Sequence, residues 1–139
     1  MLKVLIADDE QLICSMINKM IDWEGRGLAL AGMANNGLDV LTQIRELHPD
    51  IVITTHSFAT ELICSLKVSE KLTFPVISIM TDFAIHQTYI NKGVNAYILS
   101  SEEMAEQMLK RGVSKEKVYN FGIPVKKRIP QKNRQAGSF

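Results

Sequence analysis

Acidic side chains cluster where the first apolar segment of the chain ends. Residues 2–7 form a short, mostly apolar run, and Asp8, Asp9 and Glu10 follow it directly. Carboxylate oxygens suit Mg²⁺, but this ion wants an octahedral oxygen set, so two acids alone leave a mostly hydrated site. The alternative is that Asp8 and Asp9 are solvated and favour the start of the next helix by ~0.3–1 kcal/mol. The pair therefore predicts weak Mg²⁺ binding at most, and no other cofactor.

Polar residues also follow the later apolar runs of the chain. Thr55 ends one run, Thr81 and Asp82 follow another, and Ser100 follows a third. In a parallel sheet, ligands bind beyond the carboxyl ends of the strands. These positions, together with the acidic pair, are the candidate site.

Helical and strand patterns alternate along the chain. Apolar residues recur at helical spacing between strand-like runs, and a short helix is predicted over about 84–92, ending at Gly93. This alternation predicts a three-layer α/β domain of the flavodoxin-like or Rossmann-like class, with a parallel sheet in the order 2-1-3-4-5. Val118 to Ile123 is a candidate sixth strand beside the fifth. One domain is expected over residues 1–124.

The opening of the chain resembles the receiver domains of two-component response regulators. The resemblance covers residues 1–54 and rests on Val4-Leu5-Ile6-Ala7-Asp8-Asp9-Glu10, Ile21-Asp22-Trp23-Glu24 and Ala34-Asn35-Asn36-Gly37. It implies that Asp8 and Asp9 descend from a Mg²⁺ site beside a third carboxylate that accepts phosphate. Thr55 stands at that acceptor position, Ser100 stands where the family has a lysine, and Thr81 matches the family's switch hydroxyl. The resemblance therefore implies a degenerate receiver that is not phosphorylated.

Residues from about 48 to 130 resemble diacylglycerol glucosyltransferases and monogalactosyldiacylglycerol synthases. The resemblance rests on Phe74-Pro75-Val76-Ile77-Ser78-Ile79-Met80-Thr81-Asp82-Phe83, His86, Val94-Asn95-Ala96-Tyr97 and Phe121-Gly122-Ile123-Pro124-Val125. It implies the second half of the lipid-acceptor domain of a two-domain GT-B enzyme, with Asp82 and His86 derived from the acceptor cleft. The family's glycine-rich loop after the first strand is replaced here by Asp8-Asp9-Glu10. No enzymatic activity is therefore expected.

Three functions are compatible with this double resemblance. The first is an engineered or recombined chimera that folds but has no catalytic activity, joined within residues 48–54. The second is a natural pseudo-receiver that acts in two-component signalling through protein contacts, and the third is an acceptor-binding fragment of a lipid glycosyltransferase. In the chimera, a packing seam is predicted where the helix of Leu12, Met16 and Met20 meets the helix of Phe58, Leu62 and Leu66.

Charge and composition restrict the partners. The formal net charge is +1 over 139 residues, so no nucleic acid is expected to bind. No apolar run approaches the ~20 residues of a membrane span, and Cys14 and Cys64 fit a reduced cytoplasmic protein. Residues 125–139 carry five basic and no acidic side chains, which predicts a solvated, flexible tail.

One apolar stripe, on the face of the fourth and fifth strands, has two interpretations. Ile85 and Tyr89, with Met104 and Met108 of the last helix, could serve a protein partner, self-association or lipid. Alternatively, such stripes are simply part of the core.

Overall fold

A computed structural model describes residues 1–122 as six parallel strands with four α-helices. The tail proposed for residues 125–139 lies outside the described residues. The elements, in chain order, are β1 (Leu2–Ala7), α1 (Gln11–Met20), β2 (Leu28–Ala34), α2 (Gly37–Leu47), β3 (Ile51–Thr54), α3 (Ser57–Ser69), β4 (Val76–Ile79), β5 (Ala96–Ile98), α4 (Glu102–Lys110) and β6 (Val118–Tyr119).

The sheet has the order β2-β1-β3-β4-β5-β6. This confirms the predicted order, including the sixth strand beside the fifth, although β6 contains only Val118 and Tyr119. The central strand β1 pairs with β2 on one side and β3 on the other. Its last four residues, from Val4 to Ala7, are fully buried, as expected for a strand covered on both faces.

Local sequence signals set the ends of the helices. Asn36 caps α2, because its side-chain oxygen accepts a hydrogen bond from the Asp39 N–H at 2.8 Å. The same helix ends at Leu47, and His48 adopts a left-handed conformation with φ 46° before Pro49. Ser101 caps α4 in the same way as Asn36 caps α2. Turn chemistry at Asn35-Asn36-Gly37 and the proline at position 49 explain the two ends of α2.

The helices are divided unequally between the two faces of the sheet. The larger core joins α2, α3 and α4 to one face, whereas Cys14 and Ile17 of α1 pack against Ile6 on the other. Right-handed crossovers explain this division, because only the β1 to β2 connection runs toward the β2 edge and all later ones run the opposite way. The predicted seam between α1 and α3 is therefore wrong, since the sheet separates these helices.

The β4–β5 connection also differs from the prediction. Residues 84–92 do not form a continuous helix, and only a 3₁₀ turn occurs at Gln87–Tyr89. Ile85 and Tyr89 anchor this connection in the core and are 6% and 1% exposed. Met104 and Met108 of α4 are buried with them. The core interpretation of this stripe is therefore confirmed.

Candidate functional site

The carboxyl ends of β1 and β3 bring Asp8 and Thr55 together. Asp8 is 6% exposed and Thr55 is 2% exposed. The Thr55 hydroxyl donates a short hydrogen bond to Oδ2 of Asp8, and the Glu10 N–H donates to Oδ1 at 2.7 Å. Both carboxylate oxygens of Asp8 therefore accept hydrogen bonds within the protein.

The backbone around Asp8 is fixed by the neighbouring strand β2. The carbonyl oxygen of Asp8 accepts a hydrogen bond from the Asn35 side chain at 3.2 Å and a weaker one from the Cys14 thiol at 3.8 Å. Burial raises the pKa of the Asp8 carboxyl, and the adjacent Asp9 carboxylate raises it further, against a hydrogen bond from Glu10. The surroundings of Asp8 thus disfavour its charged form.

These residues do not fit a Mg²⁺ ion of the receiver type. Such an ion needs several carboxylate oxygens together, but a threonine hydroxyl takes the third position and already bonds to Asp8. Among residues 1–122, no three His, Cys, Asp or Glu side chains are grouped closely enough to hold a metal ion.

The other degenerate receiver positions make local contacts. The Thr81 hydroxyl lies 3.5 Å from the Thr55 carbonyl oxygen, at the limit of a hydrogen bond. The Ser100 hydroxyl contacts the Met104 sulfur at 3.0 Å. Thr81 therefore lies beside Thr55, whereas Ser100 contacts the helix that follows it.

Asp82 and His86 have different environments. The Tyr89 hydroxyl donates to Asp82 Oδ2 at 2.7 Å. Burial first, and this hydrogen bond second, raise the pKa of Tyr89 above its ordinary value. His86 is exposed and precedes the 3₁₀ turn. No hydrogen bond among the described residues joins Asp82 to His86, so the two do not form a common polar site.

A cavity of ≈ 370 Å³ opens beside the acidic pair, between the first turns of α2 and α3. Asp8 and Asp9 lie on one side of it, and Val40, Ala59 and Leu62 form an apolar wall. His56 also lines the cavity, and its Nδ1 accepts a hydrogen bond from the Phe58 N–H at 3.2 Å. His56 is not among the site positions predicted from the sequence. The rule that polar residues gather after parallel strands could have found it, because it follows β3 as Asp8 follows β1.

Solved structures with the same fold are receiver domains. The signal receiver domain of NarL from Mycobacterium tuberculosis aligns with a TM-score of 0.56 and 18% identity, covering 81% of this chain and 98% of that one. The response regulator domain of Thermotoga maritima CheB aligns with a TM-score of 0.53 and 19% identity, covering 79% of this chain and 92% of that one. At this identity the likeness establishes the fold alone.

Sequence relatives come from two groups. The processive diacylglycerol beta-glucosyltransferase of Bacillus cereus (strain B4264) is 31% identical over 96 residues, which is 69% of this chain and 24% of that enzyme. The uncharacterized transcriptional regulatory protein YesN of Bacillus subtilis (strain 168) is 32% identical over 132 residues, covering 84% of this chain and 36% of that protein. The chain thus spans about a quarter of the glucosyltransferases and about a third of the regulator.

The double resemblance to receivers and glycosyltransferases is therefore confirmed. The sequence profile for monogalactosyldiacylglycerol (MGDG) synthase matches residues 17–125. This match begins well before residue 48, so it also includes the end of α1 and all of β2 and α2. Because it extends over most of the chain, the protein belongs to the monogalactosyldiacylglycerol (MGDG) synthase family.

Proposed function

We propose that the chain is a receiver-like α/β domain without catalytic activity, which is not phosphorylated. The hydrogen bond from Thr55 to the Asp8 carboxylate is the observation that supports this most directly. A phosphate acceptor in such a site must be a carboxylate or an activated nucleophile. Here the Thr55 hydroxyl donates to the Asp8 carboxylate, which is a weak base, and a threonine oxygen is a far weaker nucleophile than a carboxylate.

Glycosyl transfer is also absent under this proposal. The turn after β1 carries Asp8-Asp9-Glu10 in place of the glycine-rich loop of the resembling enzymes, so carboxylates stand where backbone N–H groups would be presented. Asp82 is engaged by Tyr89. The residues of the acceptor cleft are therefore vestigial.

Phosphotransfer can be tested by intact mass and NMR. We expect acetyl phosphate with Mg²⁺ to leave the mass unchanged, and beryllofluoride with Mg²⁺ to leave the ¹H–¹⁵N spectrum unchanged. The Thr55→Asp variant, treated in parallel, is the matched control for the site. A species 80 Da heavier in the unmodified chain, located at Asp8, Asp9 or Thr55, would refute the proposal.

We further propose that the chain is an engineered or recombined chimera. Relatives of two kinds, a regulator and glucosyltransferases, support two sources, although their alignments cover 84% and 69% of the chain and therefore overlap. The strand shared by the two resemblances, β3, lies inside the sheet between β1 and β4. A join there keeps the parallel pairing that both sources use. A natural reading frame that encodes residues 40–75 without interruption would contradict this origin and favour a natural pseudo-receiver.

A second candidate function is binding of a lipid acceptor without transfer. The family match over residues 17–125 and the apolar wall of the cavity support it. Co-sedimentation with phosphatidylcholine vesicles, with and without diacylglycerol, distinguishes the two functions. Under the first proposal diacylglycerol makes no difference, whereas diacylglycerol-dependent binding would establish the second.

A further inference from the structure

Large apolar side chains are exposed along the carboxyl edge of the sheet. Each lies just after a different strand, and together they follow every strand except β5. They are Leu12 (70% exposed), Leu38 (76%), Phe58 (74%), Phe83 (93%) and Phe121 (75%). Since neighbouring strands lie ~4.8 Å apart, the row extends over ~24 Å. Single exposed apolar residues are ordinary, but five at the ends of five strands on one edge indicate an interaction surface.

The same edge is acidic. The segments that leave the strands there (8–12, 35–39, 55–58, 80–83, 99–103 and 120–122) contain seven carboxylates and no Lys or Arg. The opposite, amino edge (1–3, 21–27, 48–50, 70–75, 90–95 and 110–117) contains eight basic and five acidic side chains. The whole chain has a net charge of +1, but its carboxyl edge is acidic and its amino edge is basic.

The cavity beside Asp8 and Asp9 opens on this edge. Its volume of ≈ 370 Å³ falls in the range of pockets that hold small ligands or bulky side chains (~300–1,000 Å³). Phe58 lies at its rim and stacks on His56 with ring centroids 6.3 Å apart. An apolar group inserted here would contact Val40 and Leu62, with carboxylates a short distance away.

We propose that this carboxyl edge docks a basic amphipathic peptide segment of another protein. An apolar side chain of the peptide enters the cavity, and others cover Phe58 and Phe83. Its lysines or arginines meet the carboxylates of Asp9, Glu10 and Asp39. Charge complementarity selects this occupant, because the surface repels nucleic acid and anionic lipid. This inference goes beyond the proposed lack of catalysis, which would stand or fall separately.

The binding experiment uses the full chain and a fluorescein-labelled 14-residue peptide of leucine and lysine arranged as an amphipathic helix. We expect saturable binding by fluorescence anisotropy that weakens about tenfold between 50 and 300 mM salt. A peptide with glutamate in place of lysine should not bind. Shifts in the ¹H–¹⁵N spectrum should fall on residues 8–12, 36–40 and 56–62. Equal binding of both peptides, or shifts confined to the amino edge, would overturn the proposal.

Surface variants distinguish specific peptide binding at this edge from nonspecific apolar binding elsewhere on the protein. Phe58→Ala with Phe83→Ala should weaken binding at least tenfold, and Asp9→Asn with Glu10→Gln about fivefold. The matched controls are Val68→Ala, which removes a 79% exposed apolar side chain at the far end of α3, and Glu24→Gln at the amino edge. Both controls should stay within twofold of the unmodified chain, with thermal melts confirming that all variants fold.

Two outcomes would assign the surface to another occupant and overturn the proposal. Sedimentation could reveal self-association that the double phenylalanine variant abolishes, which would make a second copy the partner. Binding to phosphatidylcholine vesicles that the same variant abolishes would make the edge a lipid surface.

Discussion

Thr55 is the residue on which the chemistry of the site depends. A carboxylate at this position would face the Asp8 carboxylate at hydrogen-bond distance, and two like charges so close would require a cation or a proton between them. The threonine hydroxyl removes that requirement because it carries no charge. It also donates a hydrogen bond to a carboxylate oxygen of Asp8. We therefore expect the folded site to be stable without a metal ion.

Restoring the third acid should restore the need for a cation. Thr55→Asp should lower the free energy of unfolding by about 1–3 kcal/mol in the absence of metal, since it buries a second carboxylate. Magnesium at 20 mM should recover part of this loss, because an ion bound only to the folded state stabilises it. Urea denaturation with and without Mg²⁺ measures both effects.

Thr55→Val is the control for that variant, because it has a similar shape but neither a hydroxyl nor a charge. It should be destabilised by the loss of the donor to Asp8 and should show no response to Mg²⁺. An equal Mg²⁺ response in Thr55→Asp, Thr55→Val and the unmodified chain would contradict this interpretation.

Asp8 should give folding stability a pH dependence of definite sign. Burial raises the pKa of Asp8 in the folded state, so its charged form opposes folding, and this penalty disappears as pH falls through the raised pKa. The stability of Asp8→Asn relative to the unmodified chain should therefore be most favourable at pH 7. It should decline toward pH 4, near the pKa of about 3.9 of an unfolded aspartate. Thermal denaturation across this range, with the exposed Glu61→Gln as control, tests it, and a pH-independent difference would contradict it.

The β4–β5 connection shows how an element can be ordered without a helix. Tyr89 and Ile85 are buried beneath it, the Tyr89 hydroxyl bonds to Asp82, and the Arg111 guanidinium of the α4 end donates to the Ile85 carbonyl oxygen at 3.0 Å. α3 is also in contact with the 3₁₀ turn of this connection, which contains Tyr89. Side-chain contacts therefore order the β4–β5 connection, where a helix would use backbone hydrogen bonds.

Tyr89→Phe should loosen this connection while leaving the core filled. The loss of one hydrogen bond to a carboxylate should cost about 1 kcal/mol, and amide hydrogen exchange should accelerate over residues 81–95 more than in β1 or β3. Tyr119→Phe, at a 40% exposed tyrosine, is the control and should change neither quantity. If exchange rose equally throughout the sheet, the anchor would not be local.

At the scale of the whole molecule, the sequence predicted the architecture better than the site. Alternating apolar runs and the direction of parallel crossovers determine strand order, so β2-β1-β3-β4-β5-β6 could be predicted without coordinates. The apolar spacing of residues 84–92 was interpreted as a helix, because periodicity cannot distinguish a helix from a connection pinned by two buried side chains. The predicted seam between α1 and α3 is wrong, because the crossover rule places these helices on opposite faces of the sheet.

The site was predictable only in part. Parallel strands end at the same edge of the sheet, and this rule correctly predicts that Asp8, Thr55 and Thr81 lie at one edge. The hydrogen bond from Thr55 to Asp8 and the cavity between α2 and α3 depend on side-chain rotamers and on the spacing of two helices. Neither quantity is encoded in a local sequence pattern.

The strand order has a consequence for how the molecule forms during synthesis. Once residue 54 has been made, the chain holds β2, β1 and β3 as three adjacent strands, with α1 on one face and α2 on the other. Every later strand is added at the same growing edge, one after another, as β4, β5 and β6. The first 54 residues therefore contribute three adjacent strands, and the later strands extend the sheet from the edge of β3. A foreign continuation then needs only to match the open edge of β3.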